Sequence, residues 1–148
     1  MKLDDIAALP VASIAEDAAH LFLWTLDRFL LDGSAVQVCR AWGFEPLPQL
    51  MVWRKNNPGL GMFVRSAHEL ILIGRRGEAR LNPIAVASVG DWPQVYVDGA
   101  KKHSAKPDAA LDTIERLSSG PYVELFARRN RFGWDAWGDE AFENVTLG

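Results

Sequence analysis

The side chains best suited to chemistry gather in residues 103–140, where HSAKPD is followed by a helix-like stretch, ELFARRN and GWDAWGDE. A basic, hydroxyl-bearing turn ahead of a helix start offers Ser104, Lys106 and free backbone amides to an anion or a carboxylate. The competing reading is that Ser104 or Asp108 simply caps that helix. Asp139 and Glu140 are acceptors of the kind that hold ribose hydroxyls. Trp134 and Trp137, three apart and near Phe132, form either an apolar lid over a sheet or a surface beside a cofactor or flipped base. Two more polar sets follow strand-like runs: Thr25, Asp27 and Arg28, then Lys55, Asn56 and Asn57. Open α/β sheets bind ligands beyond the carboxyl ends of their strands, so these sets converge on one candidate site.

Other chemistries find less support. The three histidines, His20, His68 and His103, have none of the short spacings of metal ligands, and no H-E-x-x-H or thiolate pair accompanies them. No metal is expected. His103 lies in the polar turn and is the best functional candidate of the three; His20 reads as structural, and His68 orients a neighbouring loop. The chain has no G-x-S-x-G, Walker A or G-x-G-x-x-G string.

The elements that must position these residues can be read from pattern. Residues 4–8 suggest a short helix, and Ser13 and Glu16 have capping-box spacing for a further turn over 13–19. Residues 20–24, 49–54, 70–73, 84–89 and 122–127 read as strands, mostly continuous and apolar as in buried parallel sheets. Residues 33–42 are amphipathic and stop at Gly43; Pro107 opens a helix running to about Leu117. Strands separated by helices argue for an α/β fold with a mostly parallel sheet.

At 148 residues, 49% hydrophobic and 24% charged, the chain suits one globular domain. A net charge of −3 excludes a globally basic nucleic-acid binder. Positive charge is nevertheless local, at Arg54/Lys55, Arg75/Arg76, Lys101/Lys102/Lys106 and Arg128/Arg129/Arg131. These clusters make either a basic groove or solvated faces. Cys39 is the sole cysteine, so no intrachain disulfide forms, and its helical pattern marks it as a small buried apolar residue. Apolar runs fall short of a membrane span and the start is no signal peptide, which points to the cytoplasm.

In order and spacing, LDDIAALPV, LFLWT, AWGFEP, VWRKN, GMFVRSAHELILIG, HSAKPD, IERLSSG, VELFARR and GWDAWGDE resemble the MT-A70 family of adenine N6-methyltransferases. The resemblance runs almost end to end. It implies a Rossmann-like fold, S-adenosylmethionine as cofactor, and adenine in RNA or DNA as acceptor. It also implies that Lys55 lies near the carboxylate end of the cofactor, with His103, Ser104 and Lys106 in the turn before the cofactor-site helix. Arg128 would contact the ribose region and Asn130 would make a further polar contact. Asp139 and Glu140 match an amide pair, commonly Asn-Gln; they keep the acceptors and lose the amide donors. Asn56, Arg65 and His68 fall on the substrate side.

In the family, a D-P-P-W loop closes the strand preceding the segment that begins here at Leu3-Asp4. This sequence contains no D-P-P-W. The resemblance therefore assigns no catalytic residue and implies a domain incomplete at its N-terminal side, its sheet lacking one or more first strands. Such an edge would expose backbone and apolar surface, to be covered by a second copy or a partner protein. The expected activity is methyl transfer to adenine N6 when the missing segment is supplied. The alternative is an inactive domain that binds nucleic acid or a partner.

Overall fold

The computed structural model describes residues 1–55, 63–87, 106–142 and 144–147. Helix α1 (Leu3–Ala7) and a 3-10 turn (Val11–Ser13) lead into strand β1 (Ala19–Thr25). Helices α2 (Asp27–Leu31) and α3 (Ser34–Ala41) cross to β2 (Glu45–Arg54), which is followed by β3 (His68–Arg76) and α4 (Pro83–Ala87). Helix α5 (Asp108–Leu117) precedes β4 (Tyr122–Leu125) and β5 (Trp134–Trp137).

These strands make two sheets. The first has the order β1-β3-β2 and is antiparallel throughout; the second pairs β4 with β5 in parallel. The mostly parallel sheet expected from the sequence is thus found only in the second. β1 and β2 do run the same way, joined by a helical crossover, but β3 returns between them. An antiparallel return needs only a loop, and pairing direction is not written in a strand's own composition.

β3 is the spine of the first sheet, with residues 69–74 all buried. Its two faces carry separate cores. One packs β1 residues Leu21 and Leu23 with Val38, Cys39, Trp42 and Phe44 from α3 and its exit. The other packs Phe22 and Trp24 with Met51, Ile71, Ile73 and Leu117 at the end of α5. Gly74 permits the closest approach, because a Cβ there would lie 2.8 Å from Cys39 Sγ and 3.0 Å from Phe44 Cβ. Burial pushes the Cys39 thiol up to about 11, helped by the charge of Glu45, so it stays an unionised apolar residue. β2 is an edge strand whose register shifts between Pro46 and Leu50, where Pro46 and Pro48 lack amide donors.

Local signals explain the helices. The Asp32 carboxylate accepts the Ser34 amide at 2.8 Å, and α3 ends at Gly43 with φ +85°. Pro107 stands extended immediately before α5. Two readings need correction. The apolar residues 83–87 form α4 instead of a strand: Asn82 Oδ1 accepts the Ile84 amide at 3.0 Å and Pro83 opens the helix. Ser13 does not head a helix over 13–19; its hydroxyl donates to the Pro10 carbonyl at 2.7 Å and closes the 3-10 turn. Among the described residues, no helix is long and apolar enough to cross a membrane.

Candidate active site

The register of the first sheet sets Thr25 opposite Leu70 and Arg54 opposite His68. The carboxyl ends of β1 and β2 and the start of β3 therefore share one side of the molecule. Glu69 sits there, 8% exposed, beside the apolar run at residues 70–73. A buried carboxylate must be paired, and this one is paired twice, to the ammonium groups of Lys55 and Lys106. Burial by itself would raise the Glu69 pKa; the hydrogen bonds and charges of Lys106 and Lys55 outweigh it and hold the group below the usual carboxylate range. The trio carries one net positive charge.

Aromatic faces complete the cluster. Trp24 and Trp53 meet edge to face, 5.6 Å apart at 89°. Lys106 Nζ lies 4.6 Å from the Trp24 ring centre and 5.8 Å from Trp53, and Lys55 Nζ lies 5.1 Å from Trp53. Beside them, His68 Nε2 is 2.9 Å from Asp27 Oδ1 at the start of α2.

From Lys106 and Trp24 a cavity of about 900 Å³ runs between β1 and β4. Its lining includes Glu124, Phe126, Arg128 and Glu140. Arg128 Nε donates to Glu140 Oε1 at 2.7 Å. Burial raises the Glu124 pKa, against the lowering effect of Arg129 and Arg131. At the far end, His20 Nδ1 lies 2.7 Å from Ser118 Oγ, and burial followed by the charge of Arg75 lowers its pKa.

The neighbouring arginines are anchored. Arg129 pairs with Asp108, while Arg131 reaches Asp112 at 2.5 Å and Glu115 at 2.9 Å, which raises its pKa. Asp108, Asp112 and Glu115 are spaced i, i+4, i+7 along one face of α5.

Comparison with known proteins assigns the chain. The MT-A70 family model matches residues 1–140. The chain belongs to the MT-A70 family. It is also 32% identical over 145 residues to the Type II methyltransferase M.MunI of Mycoplasma sp. That alignment spans 97% of this chain and 60% of the relative, so the chain covers less than two thirds of the relative's length.

Against this MT-A70 assignment, the residues singled out from sequence fall into three groups. Lys106, Arg128 and Glu140 line the cavity between β1 and β4, and Lys55 joins them through Glu69. Asn130 is held beside Arg128 and Arg129 in sequence, its side-chain amide donating to the Phe142 carbonyl at 2.7 Å and accepting from the Phe142 amide at 2.8 Å. Asp139 and Arg65 are exposed, and His68 is engaged with Asp27 and Ser66. Asn56, His103 and Ser104 lie outside the described residues.

Trp134 and Trp137 form no lid. They belong to β5, where Trp134 stacks on Tyr122 at 4.8 Å and donates to Glu115 at 2.7 Å, and Trp137 meets Phe126 edge-on at 5.3 Å. Residues three apart on a strand point to opposite faces, which separates the pair. Sequence reasoning also passed over Glu69, Trp24 and Glu124. The signal for Glu69 was present: a lone charge inside HELILIG must find a cation.

Proposed function

We propose that the chain carries the cofactor-holding part of an S-adenosylmethionine-dependent methyltransferase acting on adenine N6 in RNA or DNA. The observation that carries this reading is a cavity in an MT-A70 chain bordered by Lys106, Trp24, Arg128 and Glu140 together. The donor set suits the cofactor. Ammonium and guanidinium groups complement a carboxylate, carboxylates complement ribose hydroxyls and an ammonium, and apolar walls complement the adenine and methionine chain.

In this reading Lys106, steadied by Glu69 and Trp24, holds the cofactor's carboxylate, with Lys55 reinforcing the positive field from behind. Glu140, fixed by Arg128, accepts from the ribose. His103, Ser104, Asn130 and Asp139 extend the same site, and Asn56, Arg65 and His68 lie toward the nucleic acid. The bound cofactor supplies an electrophilic methyl group on a sulfonium. The protein's share is to fix the orientation of the reacting groups and to exclude water, because adenine N6 is a weak nucleophile and alignment supplies much of the rate.

The alternative, an inactive nucleic-acid-binding domain, would use the basic residues at 128–131 as a phosphate track. Arg128, Arg129 and Arg131 are each paired with carboxylates instead, which ranks the cofactor reading first. Calorimetric titration with S-adenosylmethionine and S-adenosylhomocysteine tests it on wild type, Lys106→Met and Lys55→Ala. Saturable binding is expected, weakened about tenfold or more by Lys106→Met, in line with loss of a charge-assisted contact. Absence of binding to folded wild-type protein refutes the reading.

A further inference from the structure

The approach to β3 carries two apolar side chains that join neither core. Phe63 is 95% exposed and Val64 79%. A single exposed apolar side chain is ordinary on a protein surface. An exposed aromatic ring followed by a second apolar residue and a cation is a more specific combination. Arg65 comes next, exposed and with no carboxylate partner among the described residues.

This segment is tied down where it meets the sheet. The Lys55 amide donates to the Ala67 carbonyl at 2.6 Å, one step past the pairing of Arg54 with His68. Ser66 Oγ donates to the His68 carbonyl at 3.2 Å, and His68 Nε2 lies 2.9 Å from Asp27 Oδ1. Arg65 directly precedes that anchored stretch, at the end of the sheet where the cluster of Lys55, Glu69 and Lys106 sits.

Positive charge is in excess here. Arg28 and Arg54 are exposed at the carboxyl ends of β1 and β2. Arg28 lies 4.3 Å from the Phe29 ring centre, and its neighbour Asp27 is engaged by His68. The arginines at 128, 129 and 131 are instead paired with carboxylates. Cations alone would suit the phosphates of a duplex, and an exposed ring alone would suit an apolar protein surface. Together they suit a strand with unpaired bases, whose phosphates meet arginine while a base face meets the ring.

We infer that Phe63 is a stacking platform for an unpaired base of the acceptor strand, with Arg65 holding an adjoining phosphate. The inference rests on the reading that a nucleic-acid adenine accepts the methyl group, and it narrows that acceptor to a strand with unpaired bases. Phe63, Val64 and Arg65 do not line the cavity between β1 and β4, so the strand and the cofactor do not compete for space.

Fluorescence anisotropy with labelled, adenine-containing oligonucleotides tests it on the full chain. Stacking and phosphate contacts are common to DNA and RNA, so single-stranded DNA, single-stranded RNA and the matching duplex DNA are each titrated. At least one single strand should bind more tightly than the duplex. Phe63→Ala and Phe63→Leu should each weaken that binding about tenfold, whereas Phe63→Trp keeps a ring face and should preserve it. Arg65→Gln should reduce the slope of log affinity against log salt by about 0.7, the share of one phosphate on a single strand. Both side chains are exposed, so all four variants should melt with the wild type. Duplex binding as tight as single-strand binding overturns the inference. So does a Phe63→Ala or Phe63→Leu affinity within about twofold of wild type, a Phe63→Trp loss equal to that of Phe63→Ala, or an unchanged salt slope in Arg65→Gln. Absence of oligonucleotide binding by folded wild type also overturns it, and leaves the cofactor reading standing if S-adenosylmethionine still binds. Strand binding that depends on Phe63, in a chain that binds no cofactor, supports the inference and removes the cofactor reading alone.

Discussion

Replacing Glu69 by glutamine isolates the ionic hub at the mouth of the cavity. The carboxylate side chain is 10% exposed, and the Lys55 and Lys106 side chains keep 29% and 24%. Removing one member of a fully buried pair costs about 3–5 kcal/mol. Here the lysine ends rehydrate in part and Lys106 keeps the Trp24 face, which reduces the expected loss to about 2 kcal/mol. For a chain of this size that lowers the melting temperature by roughly 4–8 °C near neutral pH. The pH dependence is the sharper test. Glu69 has a lowered pKa in the folded state, so its contribution is fully present above the ordinary carboxylate value of 4.5 and disappears as pH falls through the folded value. Thermal melts of wild type and Glu69→Gln from pH 3 to pH 8 should therefore converge at the acid end. A gap within about 1 °C at neutral pH would refute the argument that the two lysines depend on this carboxylate, as would a gap that persists unchanged in acid.

Further outcomes follow from single contacts. Gly74→Ala forces a Cβ against Cys39, Phe44 and Leu21 and should cost about 1–3 kcal/mol in urea denaturation, since Cys39 and Phe44 are themselves buried in the core. Asn130→Ala breaks both bonds to Phe142 and should cost about 1 kcal/mol of stability; a parallel titration shows whether cofactor affinity follows. His20 has a lowered pKa in the folded state, so the unfolded chain takes up the proton first and stability falls as pH drops below the ordinary value of 6.5. In His20→Phe that part of the slope should be absent from the same melts, with the loss of the Ser118 contact appearing as a constant offset.

Much of the fold was legible where the signals are local. Gly43 and Pro107 mark helix ends, and the run ELILIG marks a strand covered on both faces. Pairing direction was not legible, because it depends on which strands meet across long stretches of chain. The helix at 83–87 was hidden for a related reason: five apolar residues support either period, and the deciding contact is the Asn82 cap. Of the residues singled out by the family strings, Lys106, Arg128 and Glu140 line one cavity, yet no spacing rule connects Lys55 and Lys106 through Glu69. The arginines at 128–131 read as an open basic patch until Glu140 is seen to pair with Arg128, and the carboxylates at 108, 112 and 115 of one helix face with Arg129 and Arg131.

Helix α5 is pinned at both ends along β1. Lys106, just before it, reaches Trp24 and Glu69, and Ser118, just after it, reaches His20. It acts as a splint across the seam between the two sheets, but its two fastenings respond differently to acid. Protonating His20 places an N–H on both ring nitrogens, and Nε2 is buried with no partner among the described residues. A protonated ring would thus bury a charged donor without an acceptor, whereas Lys106 at the other end is held by a carboxylate whose pKa is lowered. The splint is therefore fastened by unlike means, a neutral imidazole on a hydroxyl at one end and paired charges at the other, and a proton added at the His20 end weakens it there without touching the lysine.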